Sequence, residues 1–195
     1  MKTPFRWRWT AAKIAMLALL LGLPQGFAAG DVLDSAANGF TVKISVNIHA
    51  APADVFARIL KIRDWWDPAH TYSGDARNLS IEERPGGCFC ETLPGDGSVR
   101  HMEVIFVAPG KTLRLTGGLG PLQQLAATGT MTFSLAPAGD GTKLDVTYAV
   151  GGYFAQGMNT LAAPVNDVLS DQVNRLKSVI ETGRPTAKRG EAKPQ

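Results

Sequence analysis

Cys88 and Cys90 flank Phe89 in a stretch that alternates between the two sides of a strand. Alternate strand residues share a face, so the two sulfurs point the same way and three chemistries open. A disulfide between positions i and i+2 lies near the limit of Cα separation that the bond permits. Two reduced thiols would instead pack as small apolar groups. A metal site would need two further ligands, from His70, Glu91 or His101. Packed thiols, with no metal and no cofactor, are the expectation, because a Cys-x-Cys pair alone carries little specificity.

The other candidates are single polar groups among apolar ones. Trp65, Trp66, Asp67, His70 and Tyr72 crowd one connection, and aromatic walls with a few polar tips suit an amphipathic molecule. The same tryptophans would equally serve to seal the end of a sheet. Glu91 alternates with Phe89 and Leu93, so it either faces an interior as a lone carboxylate or caps a sheet edge. Tyr148 shares a face with Leu144, Val146 and Val150, which makes it either a polar hydroxyl inside an apolar cavity or a core tyrosine with a structural partner. His101 precedes Met102, Val104 and Phe106, and strict alternation sends it with Glu103 to the solvent side. The ligand-contacting set expected from these patterns is Trp65, Trp66, His70, Tyr72, Glu91 and Tyr148, with no catalytic residue assigned.

No Gly-x-Ser-x-Gly elbow, His-Glu-x-x-His pair, phosphate loop or dinucleotide fingerprint occurs, so the usual hydrolase, metalloprotease and nucleotide-binding machinery has no support. The chain holds three histidines, and none pairs visibly with a nucleophile. General acid-base chemistry through His70, Glu91 or Tyr148 stays open.

The segment Phe40 to Ile48 alternates over its whole length as a half-buried strand does. Pro52 then opens a helical spacing of Val55, Phe56, Ile59 and Leu60, with Asp54 near the positive end of the helix. Beyond Arg77 six runs follow, namely Asn78 to Glu83, Cys88 to Leu93, Val99 to Val107, Thr112 to Thr116, Thr128 to Ala136, and Lys143 to Val150. Gly- and Pro-rich turns such as Pro94-Gly95-Asp96-Gly97 separate them, which implies an antiparallel meander. From Met158 to Ile180 apolar residues recur at steps of three and four, the pattern of a long amphipathic helix. Gly183 and Pro185 end it, and Pro164 is either its first turn or a kink. The fold expected is α+β: a curved antiparallel sheet of about seven strands wrapped around a long C-terminal helix, with one or two short helices after the first strand.

This order, the Ala51-Pro52-Ala53-Asp54-Val55-Phe56 entry to the first helix, the Trp65-Trp66 pair and the Gly-rich hairpins resemble the helix-grip superfamily over residues 39 to 181. The superfamily includes START-like, birch-pollen-allergen-like and polyketide-cyclase-like proteins, and the chain looks most like its small bacterial SRPBCC members. The resemblance implies a ligand cavity between sheet and terminal helix. It transfers no catalytic group, since the matching motifs are turn and packing features, and one scaffold hosts many functions.

Charge narrows the partners. Four of the 20 basic residues (Lys2, Arg6, Arg8, Lys13) lie in the first segment and four more (Arg184, Lys188, Arg189, Lys193) in the last. Residues 29–183 are therefore mildly acidic, and no basic stripe remains to neutralise a phosphate backbone. The basic start, the apolar run Ile14 to Leu23 and the small-residue exit Gly26-Phe27-Ala28 read as a secretory signal over residues 1–28, with an uncleaved anchor as the alternative. About ten apolar residues fall short of the roughly 20 that span a bilayer. The expectation is a periplasmic or secreted helix-grip domain over 29–183, with a disordered basic tail over 184–195. It would be a monomer or weak dimer that binds a hydrophobic or amphipathic small molecule, lipid or polyketide-like. A cyclase or dehydratase in the same cavity, or a protein-interaction module using Leu119, Leu122 and Leu125, are the alternatives.

Overall fold

The computed structural model of the chain describes residues 28–186. The expected signal segment up to residue 27 and the tail from residue 187 lie outside them. Eight antiparallel strands form one sheet in the order β1-β2-β8-β7-β6-β5-β4-β3. They are β1 (Asp31–Ala36), β2 (Gly39–Ile48), β3 (Leu79–Ile81), β4 (Cys88–Leu93), β5 (Gly97–Ala108), β6 (Thr112–Thr116), β7 (Ala126–Ala138) and β8 (Gly141–Tyr153). Helix α1 (Pro52–Leu60) and three single turns of 3₁₀ helix connect β2 to β3, and helix α2 (Ala162–Thr182) closes the domain.

The curved sheet around a terminal helix is as the patterning implies and has the helix-grip form that the resemblance implies, with eight strands among the described residues where about seven were expected. The extra strand is β1, an edge strand whose six residues are all exposed. With no buried face it has no reason to alternate, so periodicity could not reveal it. Strands β2 and β8 pair without interruption from Gly39 opposite Gly151 to Ile48 opposite Thr142. Phe40, Val42, Ile44, Val46 and Ile48 thereby face inward together with Leu144, Val146, Tyr148 and Val150. Helix α2 packs against β2 and buries Leu169, Val173, Leu176 and Val179, positions spaced to form a single stripe. Pro164 falls in the first turn of α2, where a missing N–H breaks no helical bond. Gly183 ends the helix in the left-handed region at φ 77°, and its N–H donates to the Val179 carbonyl.

A polar ladder on α2 holds the start of the domain. Asn174 Oδ1 accepts from the Ala28 N–H, Asn174 Nδ2 donates to the Ala28 carbonyl, Ser170 Oγ accepts from Gly30 and Asn166 Nδ2 donates to the Gly30 carbonyl. One residue further along, Arg175 donates to the carbonyls of Trp65, Trp66 and Thr186.

Strand β5 departs from strict alternation twice. Phe89 pairs with Met102 but Cys90 pairs with Arg100, so His101 is an extra residue in a β-bulge. A second bulge places Ile105 between Val104, opposite Leu115, and Phe106, opposite Arg114. Each bulge shifts the phase of the side chains by one. His101 and Met102 are consequently both buried, whereas Phe106 is 44% exposed and lies under the Arg114 guanidinium, 5.4 Å from the ring centre. The expectation that His101 faces solvent and Phe106 the interior is corrected on both counts.

Candidate functional site

At one end of the space between sheet and α2 lies a cavity of about 360 Å³. Its helical wall is Leu161, immediately before α2, with Pro164, Val165 and Val168 from the start of α2. Trp66 and residues 69–72 supply the wall opposite, Phe89, His101 and Tyr148 rise from the sheet, and residues 119–122 of the β6–β7 connection form the cover. Leu122 is buried and Leu119 half-buried, so these leucines turn inward as a lid.

The two tryptophans divide the tasks that the sequence left open. Trp65 is 1% exposed and stays behind the cavity wall, its indole N–H donating to the Arg58 carbonyl at 3.0 Å. Trp66 lines the cavity, donates to the His70 carbonyl at 2.9 Å and meets Phe89 edge-on, with ring centres 5.9 Å apart. Gln172 of α2 accepts from the Asp67 N–H at 2.8 Å, and the Asp67 carboxylate accepts from Ala69. His70 and Tyr72 stand in the same wall, Tyr72 at the rim and 43% exposed.

Tyr148 contributes its ring to the cavity, but its hydroxyl is engaged elsewhere. It donates to the Gly117 carbonyl at 2.9 Å and accepts from the Leu119 N–H at 3.0 Å. Burial pushes the phenol up to about 12 against the opposing effect of the Leu119 hydrogen bond. Gly117, at φ 144°, rests so close to β5 that a Cβ there would meet the His101 carbonyl oxygen at 2.9 Å, which only glycine tolerates. The lid is thus tied at its first residues to Gly129 of β7 by two backbone hydrogen bonds and to Tyr148 of β8 by its hydroxyl.

Glu91 faces inward beside Phe89 and is 1% exposed. It is not a lone carboxylate, because it accepts from the Tyr72 and Ser73 N–H groups and from His101 Nε2 at 3.0 Å. Burial pushes its carboxyl up, but hydrogen bonds from Ser73, Tyr72 and His101 outweigh this and hold it below the ordinary value. His101 lies between the Phe89 and Tyr72 rings, centres 5.1 and 5.8 Å away, with Tyr72 stacked at 22°. Burial lowers the pKa of its imidazole, and Glu91 offsets that only in part. The Nδ1 atom of His101 is buried and has no hydrogen-bond partner in the protein.

Alternation alone missed His101, yet one signal was available. Counting outward from the Pro94-Gly95-Asp96-Gly97 turn, Glu91 falls opposite Val99. Continuing that count puts His101 opposite inward-facing Phe89, even before the bulge is known.

Cys88 and Cys90 are joined as a disulfide, with Cα atoms 5.3 Å apart. They point away from Phe89 and Glu91, to the sheet's outer face, so their sulfurs and His101 cannot share a ligand. Among the described residues, no cluster of three His, Cys, Asp or Glu side chains suits a metal ion.

A family model described as polyketide cyclase / dehydrase and lipid transport matches residues 39–181. The chain belongs to that family. The stretch matched begins with β2 and ends in the last turn of α2, so it includes every wall of the cavity. Among solved structures, the chain is similar to a conserved protein of unknown function, EF2215, from Enterococcus faecalis, with TM-score 0.56 and 20% identity over 82% of this chain and 80% of that one. It is similar to CalU16 from Micromonospora echinospora, with TM-score 0.55 and 16% identity over 86% and 81%. It is also similar to the Aha1 dimer from Colwellia psychrerythraea, with TM-score 0.51 and 16% identity over 73% and 97%. At these identities the likeness is one of fold. No curated protein matches the sequence. No helix among the described residues is long and apolar enough to cross a membrane.

Proposed function

We propose that this protein binds a hydrophobic or amphipathic small molecule, lipid or polyketide-like, in the cavity between sheet and terminal helix. The observation that carries this reading is the cavity itself. Its volume of about 360 Å³ falls in the range of roughly 300–1,000 Å³ common to ligand sites. Its walls are aromatic and aliphatic, so burial of apolar ligand surface drives binding at about 25 cal/mol per Å². Membership of a family whose description includes both cyclases and lipid transport supports small-molecule binding without choosing between them. The basic start and apolar run Ile14 to Leu23 support binding outside the cytoplasm, in the periplasm or medium.

The test is native mass spectrometry of the protein from its own host, with organic extraction of any cargo. Val168→Trp, which places an indole in the cavity, is the control. The reading expects a discrete extra mass on the wild type that is absent from a folded Val168→Trp variant. Cargo retained by that variant, or a wild type that neither carries nor takes up apolar molecules, would sink it.

One observation favours a second reading, acid-base catalysis of the cyclase or dehydratase type. His101, held by the Glu91 carboxylate, is among the residues that line the cavity. Conversion of the extracted compound by wild type, with at least about a hundredfold loss in His101→Phe, would favour that reading over simple carriage.

A further inference from the structure

The Cys88–Cys90 disulfide stands apart from the cavity, and its place in the sheet does not suit a structural staple. It joins two residues of one strand, β4, across Phe89 alone. That strand is already held on both sides, by β3 and by β5, so the bond connects no elements that would otherwise separate. A disulfide restrains the unfolded chain more the longer the loop it closes, and here it closes across a single residue. Both cysteines are half-buried on the outer face, where Ser80, the cross-strand partner of Cys90, is exposed. Disulfides that an outside thiol can reach are the labile ones, whereas buried structural ones resist reduction. The chain has no other cysteine, so no other pairing competes.

The neighbours on β5 make the two sulfurs unequal. Register sets Glu103 opposite Cys88 and Arg100 opposite Cys90, and residues directly opposite have Cβ atoms about 4.5–5.5 Å apart. Arg100 and Glu103 are themselves joined across the His101 bulge by an ion pair of 3.1 Å. A charged pair thus runs alongside the disulfide, with its positive end at Cys90 and its negative end at Cys88. Negative charge released onto a sulfur is balanced at Cys90 and opposed at Cys88. Both charged side chains meet water, which screens them and keeps the bias modest.

We propose that Cys88–Cys90 is a thiol–disulfide exchange site for a dithiol, attacked at Cys88 with Cys90 as the leaving thiolate. A thiolate of the dithiol bonds to Cys88 Sγ as the bond between the two protein sulfurs breaks, and the electron pair goes to Cys90 beside Arg100. The second thiol of the dithiol, once deprotonated, attacks the sulfur that its partner placed on Cys88 and frees Cys88. With both protein sulfurs protonated, the protein has gained two electrons and two protons, and the dithiol has become a disulfide. The reverse sequence, with a disulfide as oxidant and Cys90 as the attacking thiolate, restores the bond. Sulfurs and cavity lie on opposite faces of the sheet, so the site stands whether or not the cavity holds a ligand.

The protein purified from its host is first oxidised to completion with 2-hydroxyethyl disulfide, then treated with dithiothreitol at pH 7.5 with and without denaturing urea, and its free thiols are counted by alkylation and mass. The proposal expects native-state reduction within about tenfold of the rate in the unfolded chain, because no unfolding is needed for access. The reduced protein should stay folded, with a urea midpoint no more than about 1 M lower, and 2-hydroxyethyl disulfide should restore the bond. Slower native reduction than that, or a reduced protein that unfolds in buffer, would mark a structural staple and overturn the proposal. Cysteines that 2-hydroxyethyl disulfide cannot join would overturn it as well.

The direction of attack is read from the mixed disulfide. Brief treatment with the monothiol 2-mercaptoethanol, quenched in acid, should place the adduct on Cys88 in about threefold excess over Cys90, and Arg100→Gln should bring the two near parity. Adducts that favour Cys90, or a ratio that Arg100→Gln does not move, would refute the role given to Cys90.

Discussion

At the scale of single residues, the Glu91–His101 pair couples stability to pH. Both groups have folded-state values below their ordinary ones of 4.5 and 6.5, so the unfolded chain takes up protons first as pH falls. Their contributions are complete above those ordinary values and are lost as pH drops through the folded ones. Urea midpoints should stay level from pH 8 to 7 and begin to fall below about 6.5, first through His101 and then through Glu91. Midpoints that rise on acidification would contradict the neutral imidazole. Glu91→Ala strands two backbone N–H groups and the His101 ring in the interior, and should cost about 3 kcal/mol in equilibrium unfolding at pH 7.5. A cost under about 0.5 kcal/mol, the size of an ordinary surface change, would mean that the hydrogen bonds to the carboxylate are not formed.

At the scale of elements, the Tyr148 hydroxyl is the side-chain tie between the lid and the sheet. Tyr148→Phe leaves the Leu119 N–H without a partner and the Gly117 carbonyl with the Gly129 N–H alone, at a cost of about 1–2 kcal/mol. Amide exchange over residues 117–125 should accelerate, and a bound ligand should leave faster, with the rest of the sheet unaffected. Unchanged exchange in that segment would show that Leu119 and Leu122 alone hold the lid. The same scale shows what sequence patterning can and cannot reveal. Strands β2 and β8 and helix α2 were legible because each buries one face, and burial imposes a period of two or 3.6. Strand β1 was not, since neither of its faces is covered. Strand β5 was legible as a strand but not in phase. Val104-Ile105-Phe106-Val107 is apolar throughout, so nothing in it marks where a bulge shifts the faces. In the candidate site, Trp66, His70, Tyr72 and Tyr148 line the cavity and Glu91 lies inside, but the other bulge, at His101, left its chief side-chain partner on the wrong side of the expected sheet.

At the scale of the whole molecule, the cavity occupies one end of the sheet–helix space, and the remainder is filled by the stripe of α2 against β2. The two ends of the described domain meet on that helix. Asn174 holds Ala28 by both its N–H and its carbonyl, and Arg175, the next residue, holds the carbonyl of Thr186. Consecutive residues of one helix thus anchor positions 28 and 186, which bound the described residues. The backbone is therefore close to a ring. Joining those ends with about ten glycine and serine residues, which reach roughly 33 Å, and opening the exposed Gly139–Asp140 turn should yield a circular permutant that folds and keeps its cavity. Its bound cargo would match that of the parent, whereas a permutant that cannot fold would show that the chain order itself, and not the ladder on α2, brings the ends together.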